Sequence, residues 1–219
     1  MKIAILGGSF NPIHIGHLIL ADSVCTELGY DKVLFVPCFE PPHKKMADAA
    51  SAFDRLQMVK LAVKSDARFE AEDFEIKNGG ISYTCDTVFA LEQKYADVLS
   101  AKMGLILGFD LASHFEDWKN AKLLSQTCEL ILAVRENENL KNSSKNQAKG
   151  EYAIERVDFS IEKFSFPHVD LHNPSIILSS SDIRDRILES KSWRYLVSPE
   201  VFEYIKERNL YGFKSDQFK

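Results

Sequence analysis

Residues 2–18 read Lys2-Ile3-Ala4-Ile5-Leu6-Gly7-Gly8-Ser9-Phe10-Asn11-Pro12-Ile13-His14-Ile15-Gly16-His17-Leu18. The apolar run Ile3–Leu6 stops at paired glycines, the pattern of a short strand buried on both faces. Asn11-Pro12 then sets a turn. Beyond it Leu18, Ala21, Cys25 and Leu28 recur at helical spacing until Gly29 stops them. A buried strand, a glycine turn and a helix make the first unit of a parallel α/β sheet, with the turn at the strand's carboxyl end, where such sheets gather ligands.

The rest of the chain repeats that alternation. Val33-Leu34-Phe35-Val36 reads as a second buried strand closed by Pro37, and Pro41-Pro42 opens a loop running to Ala50. Ser51 with Asp54 forms a capping pattern for a helix striped by Leu56, Val59 and Val63. Arg68–Lys77 alternates imperfectly up to Asn78-Gly79-Gly80 and predicts a strand and turn. A helix carrying Val88, Leu91 and Tyr95 follows Thr84; Met103–Leu107 and Leu130–Val134 predict strands, with Leu123-Leu124 on a helix between them. Glu136–Glu151 has only Leu140 and Ala148 as apolar residues and reads as an exposed, flexible polar loop. Phe164-Ser165-Phe166 and Ile176-Ile177-Leu178 predict strands. A helical C-terminal part at about 181–211 holds Ile183, Ile187 and Leu188, then a last helix capped by Ser198-Pro199. The expected fold is α/β, a Rossmann-like, mainly parallel sheet with helices on both faces, in a single domain over 1–219.

Composition narrows the class. The 219 residues carry 27 Lys and Arg against 32 Asp and Glu, and 45% are apolar, enough to build a core. A formal charge of −5 speaks against a nucleic-acid partner, which requires a basic face. The four cysteines Cys25, Cys38, Cys85 and Cys128 form no C-x-x-C pair, which fits a reduced, cytoplasmic setting better than a disulfide frame or zinc site. The first apolar run is too short for a secretory segment or membrane span, so no membrane partner is expected.

Two clusters have the chemistry of phosphate sites. In the first, Gly7, Gly8, Ser9 and Phe10 bring backbone close to a bulky anion. His14 and His17 stand at the start of a helix, on one side of it, where N–H donors and the helix dipole favour phosphate. Zinc binding and plain surface histidines are the alternatives; zinc lacks a third ligand nearby. In the second cluster, Ser179-Ser180-Ser181-Asp182-Ile183-Arg184 opens another helix and adds a planar guanidinium. A serine cap with an exposed arginine is the plainer reading of those residues taken alone. Neither G-x-G-x-x-G nor G-x-x-x-x-G-K-[ST] is present.

Together with Pro41-Pro42-His43-Lys44, Ser82-Tyr83-Thr84, Leu107-Gly108-Phe109-Asp110, Trp118 and Leu210-Tyr211, these clusters resemble the H-x-G-H nucleotidyltransferases and, among them, the bacterial nicotinate-nucleotide adenylyltransferase family. The resemblance runs nearly the whole chain. It implies a nucleotidyltransferase-type fold and adenylyl transfer from ATP to nicotinate mononucleotide in NAD biosynthesis. It implies catalytic roles for His14, His17, Lys44 and Arg184, and ATP contacts from Gly7, Gly8, Ser9, Phe10, Gly108, Asp110, Ser179, Ser180 and Ser181. The mononucleotide would meet His43, Lys44, Ser82, Tyr83, Thr84 and Trp118. Asp110 as a helix cap and Trp118 as plain packing remain the simpler readings of those two residues.

Magnesium would arrive with ATP, held mainly by phosphate oxygens and not by a protein cage. A homo-oligomer stays open. Ser9, Asn11 and Ser181 stand where the family usually has Thr, Asp and Thr, and the 136–151 loop has no clear counterpart. Sister adenylyl- or cytidylyltransferases, pantetheine-phosphate adenylyltransferase among them, share the first and last motifs but lack the Ser82–Thr84 and Trp118 segments. A class I aminoacyl-tRNA synthetase would need a K-M-S-K-S loop that does not appear. A non-catalytic nucleotide sensor would not need the histidines, Lys44 and Arg184.

Overall fold

The structure, a computed structural model, describes residues 1–40, 50–133, 164–174 and 176–214; the side chains at 109 and 110 are outside the described groups. His43, Lys44 and the 136–151 loop therefore lie outside the described residues.

Within them, six parallel strands form one sheet: β1 (Ile3–Gly8), β2 (Lys32–Pro37), β3 (Phe69–Ala71), β4 (Gly104–Gly108), β5 (Glu129–Ala133) and β6 (His168–Leu171), in the spatial order 3-2-1-4-5-6. The chain builds outward from β1 to β3, then returns to place β4 on the other side of β1. That reversal opens a crevice beyond the carboxyl ends of β1 and β4.

Side chains along each strand alternate between faces, yet both sets are apolar because helices cover both faces. Ala4, Leu6, Val33, Phe35, Ile106 and Ile131 face one core. That core is completed by α1 (Ile15–Leu28), α2 (Ala52–Val63), α7 (Ser180–Leu188) and α8 (Pro199–Glu207), through residues such as Val24, Met58, Ile183 and Ile205. Ile3, Ile5, Leu34, Val36, Leu105 and Leu107 face the other core, with Val88 and Leu91 of α4 (Thr84–Lys94), Leu124 of α6 (Ala121–Thr127) and Phe115 from a short 3-10 turn. Each fully buried Leu, Ile or Phe contributes about 1.5–3 kcal/mol of hydrophobic stabilisation, the term that outweighs the cost of ordering the sheet. Two short helices, α3 (Phe74–Asn78) and α5 (Phe109–Ala112), complete the set. No helix among the described residues is long and apolar enough to cross a membrane, and all four cysteines are free and buried.

Three local expectations fail. The strand expected over Arg68–Lys77 is only Phe69–Ala71; its second half is α3, braced by the Lys77–Asp73 ion pair at 2.9 Å and ended by Gly79 at φ +66. Phe164-Ser165-Phe166 is not a strand. Both rings gather on Phe115, at 5.7 and 5.1 Å, and β6 begins only at His168. Ile176-Ile177-Leu178 pairs with no strand either: it lies past the carboxyl edge of the sheet on the way to α7, with Ile177 exposed.

Candidate active site

The site starts where β1 runs out. A Cβ on Gly7 would stand in open space, whereas one on Gly8 would press on the Phe10 ring at 3.3 Å. The backbone then turns sharply, with Phe10 in the left-handed region at φ +44, which a bulky L-residue rarely adopts. Phe10 is held there by packing. Its ring is buried in the core, 5.9 Å from Phe35 and edge-on to His17 at 5.0 Å. Only its backbone is left for a ligand.

The turn is fixed from three sides. Arg55, 1% exposed, donates from Nη1 to the Ser9 carbonyl at 2.8 Å and from Nη2 to the Phe39 carbonyl at 3.0 Å. Asn11 Oδ1 accepts the Ala50 N–H at 3.0 Å and the Tyr211 hydroxyl at 2.9 Å. The third support is the second serine cluster, described below.

His14 occupies the N-cap position of α1, and its carbonyl accepts the His17 N–H at 3.0 Å. In return the His14 N–H donates to His17 Nδ1 at 3.2 Å, and the two rings stack 3.7 Å apart. Gly16 makes room for this: a Cβ there would approach the His14 ring to 3.1 Å. Burial lowers the His14 pKa to about 4 against a smaller opposing pull from Asp182. Burial, and then His14 itself, hold His17 well below the ordinary imidazole range. Both rings are therefore neutral at pH 7 and act as hydrogen-bond donors and acceptors, not as fixed cations. His14 Nδ1 is buried without a hydrogen-bond partner among the described residues, a costly state for a polar atom.

The late cluster lands on the early one. Ser179 caps α7, accepting the Asp182 N–H at 3.1 Å, while its own N–H donates to Asp182 Oδ2 at 2.8 Å. Ser180 Oγ donates to the Pro12 carbonyl at 2.8 Å. Arg184 Nη1 donates to the Asn11 carbonyl at 2.8 Å and Nη2 to Ser181 Oγ at 3.1 Å. Residues about 170 positions apart in sequence thus place two helix N-termini, two imidazoles and a guanidinium around one turn.

Beside this cradle lies a cavity of about 660 Å³ whose wall includes Gly7, Gly8, Ser9, Ser82, Tyr83, Thr84 and Trp118. His14, His17 and Arg184 are not on that wall; Gly7–Ser9 connect the two places. Trp118 sits half-buried with its ring 5.3 Å from Phe115. Gly108 ends β4 with open space where a Cβ would stand. The Asp110 side chain, His43 and Lys44 lie outside the described groups.

Sequence reasoning missed Arg55 and the three charged residues of the cavity wall, Glu75, Asp117 and Lys119. Lys119 lies 4.5 Å from the centre of the Tyr83 ring and 3.0 Å from Asp86. Burial pushes the Glu75 carboxyl up, against the pull of hydrogen bonds from Thr87 and Ser82. The one available signal was a charged residue on the apolar flank of a helix, as at Arg55 beside Leu56.

A parallel 3-2-1-4-5-6 sheet, with two helix starts converging beyond its switch point, is a Rossmann-like architecture of the kind that binds nucleotides at that edge. The cytidylyltransferase-like family model matches residues 5–186. A probable nicotinate-nucleotide adenylyltransferase of Treponema pallidum is 39% identical over 211 residues, 96% of this chain and 99% of its own. One of Caldicellulosiruptor bescii is 38% identical over 211 residues, with 96% and 99% covered. The solved nicotinic acid mononucleotide adenylyltransferase of Plasmodium falciparum complexed with NaAD superposes with a TM-score of 0.72 at 18% identity, over 97% of this chain and 98% of that one, a likeness of fold. The chain belongs to the nicotinate-nucleotide adenylyltransferases of the cytidylyltransferase-like family.

Proposed function

We infer that the protein transfers the adenylyl group of ATP to nicotinate mononucleotide, forming nicotinate adenine dinucleotide and pyrophosphate in NAD biosynthesis. The observation that carries this reading is the docking of Arg184 and Ser180 onto the Asn11–Pro12 turn next to a cavity of mononucleotide size.

A phosphate oxygen of the mononucleotide attacks the α-phosphorus in line; the bond from that phosphorus to the bridging oxygen breaks and pyrophosphate leaves. The attacking oxygen is already anionic at neutral pH, so the residues need only bring two polyanions together and stabilise charge on the leaving group. His14 and His17 would donate to phosphate oxygens from the start of α1, and Ser180 and Arg184 to the β- and γ-phosphates. Ser181 and the backbone of Gly7–Phe10 would line the same path. Gly108 and Asp110 would meet the ribose, and His43 and Lys44 the reacting phosphates, by family resemblance. Imidazoles, hydroxyls and a guanidinium form a donor set for phosphate oxygens, whereas magnesium requires oxygen ligands. The ion would therefore ride on the nucleotide, where it neutralises phosphate charge.

The pyridine end would occupy the cavity, with Trp118 against the ring. Its carboxylate would meet the N–H groups opening α4 at Tyr83 and Thr84, where no side chain caps the helix, the Ser82 N–H being donated to the Glu40 carbonyl. A cytoplasmic setting, with ATP at hand and thiols kept reduced, belongs to the same reading.

Mass spectrometry tests it directly. The protein, ATP and magnesium with an equimolar mixture of nicotinate, nicotinamide and phosphopantetheine acceptors should yield mainly the nicotinate dinucleotide. Adenylylated phosphopantetheine, or no product, would overturn the reading.

A further inference from the structure

The cavity proposed to receive an anionic nucleotide has two acids on its wall, Glu75 and Asp117, and Lys119 is the one cation there among the described residues. Lys119 follows Trp118 and precedes α6, yet its side chain reaches across to the start of α4. Its Nζ donates to the Asp86 carboxylate, 3.0 Å from Oδ2 and 3.3 Å from Oδ1, and stands 4.5 Å from the centre of the Tyr83 ring. Tyr83 is the N-cap of α4 and Asp86 lies in its first turn. An ammonium is thus held at the positive end of a helix dipole, a place that ordinarily favours anions. Asp86 and the ring face hold it there. The pair is not closed off: the two side chains are 46% and 55% exposed, and an ammonium has three N–H donors, more than Asp86 needs.

We propose that Lys119 is a specificity-determining residue: its ammonium, fixed beside the opening of α4, offsets the charge of Asp86 and selects the pyridine carboxylate over the neutral carboxamide. A carboxylate meeting the Tyr83 and Thr84 amides would lie within one helical turn of Asp86, and the two like charges would repel. Lys119 turns that repulsion into attraction, which a carboxamide does not feel because it carries no charge. Asp86 has the opposite effect on selectivity, positioning the ammonium while weakening its field. This inference deepens the function proposed above and rests on it.

The test is steady-state kinetics with nicotinate and nicotinamide mononucleotides as alternative acceptors, for wild type, Lys119→Met, Lys119→Arg and Asp86→Asn. Lys119→Met keeps the apolar stem and removes the charge. Its acid-over-amide ratio of kcat/KM should narrow at least about threefold, the scale of one partly exposed charge contact, through a higher KM for the acid. Lys119→Arg keeps the charge and should keep the ratio. Asp86→Asn removes the opposing charge, leaves the ammonium an oxygen to bond, and should widen the ratio. An ion pair that only braced α4 would move the ratio the same way in Lys119→Met and Asp86→Asn, or in neither. Either of those results would overturn the proposal and leave the function standing. So would a loss in Lys119→Arg as large as in Lys119→Met, or an equal rise in KM for both acceptors, which would put the ammonium on the phosphate they share. Should Lys119→Met fail to fold, Lys119→Gln takes its place. Wild-type protein that makes no pyridine dinucleotide would instead overturn the function itself.

Discussion

His17 Nδ1 accepts the backbone N–H of His14 at 3.2 Å, and that one contact sets the tautomer of the ring. With Nδ1 occupied as an acceptor, neutral His17 carries its proton on Nε2, the only nitrogen left to donate to a phosphate. Phe10 holds the ring edge-on and the His14 ring stacks on it, so the donor is oriented before the substrate arrives. Replacing His17 with Ala should lower kcat at least ~100-fold, the scale for one preorganised donor to developing charge. The protein should still unfold in one transition, with a melting temperature lowered by the loss of the His14 N–H bond and of the ring contacts with Phe10 and His14. Steady-state pyrophosphate release together with a thermal melt checks both; near-wild-type turnover would remove His17 from the chemistry.

The pKa of His14 makes the fold sensitive to acid. Its folded value is lowered to about 4 from the ordinary 6.5. Between those values the unfolded chain binds more protons than the folded one, so stability rises with pH. The contribution is fully present above about pH 6.5 and is lost as pH falls toward 4, by up to about 3 kcal/mol. Urea unfolding of wild type and His14→Gln at pH 7, 5.5 and 4.5 isolates it: the gap between the two proteins should change in favour of Gln as the solution is acidified. Parallel pH curves would place the His14 pKa near its usual value.

The strands that sequence reveals are those buried on both faces, β1, β2, β4 and β5, because helices above and below turn their alternation into unbroken apolar runs. β6 escapes notice. It is an edge strand of four residues, His-Val-Asp-Leu, with Asp170 exposed, and the apolar Phe164 and Ile177 segments beside it read more like strands than it does. The two phosphate motifs are legible because each is local, a glycine turn or a serine cap set before a helix. Arg55, Glu75 and Tyr211 are not, because their partners are far away in sequence: 46 residues separate Arg55 from Ser9, 12 separate Glu75 from Thr87 and 200 separate Tyr211 from Asn11. Periodicity places such residues on elements without revealing which distant carbonyl or hydroxyl they meet.

Arg184 reaches two acceptors at once, the Asn11 carbonyl and Ser181 Oγ, through separate nitrogens of a planar fork. Lysine keeps the charge as a single point and cannot hold both. Arg184→Lys should therefore lower kcat/KM for ATP by about 10- to 100-fold, as expected for loss of a charged hydrogen bond at a phosphate site. KM for the mononucleotide should change much less, because Arg184 is not on the cavity wall. Varying each substrate at saturation of the other separates the two effects, and an equal loss for both would show that Arg184 acts on the fold alone.

Gly104 offers a stability test away from the chemistry. A Cβ there would fall 2.6 Å from the Tyr30 hydroxyl oxygen and 2.7 Å from Cζ. Tyr30 cannot easily yield: it is 3% exposed and its hydroxyl donates to Glu129 at 2.6 Å. Gly104→Ala should cost about 1–3 kcal/mol by overpacking, read as a lower urea midpoint, with KM for both substrates unchanged. A midpoint equal to wild type would mean that the ring moves aside freely.

Arg55 joins stability to function. Its guanidinium ties the Ser9 carbonyl after β1 to the Phe39 carbonyl after β2, and so fixes the turn that separates the cradle from the cavity. Arg55→Lys retains a charge but cannot bridge both carbonyls, so one buried acceptor is left unsatisfied at a cost of about 1–3 kcal/mol. Arg55→Met removes the charge and leaves both carbonyls bare, and should be the less stable of the two. Because Ser9 borders both substrate sites, KM for ATP and for the mononucleotide should rise together, in contrast with the one-sided effect expected at Arg184. A folded Arg55→Lys protein with both KM values unchanged would show that the turn keeps its shape without the bridge.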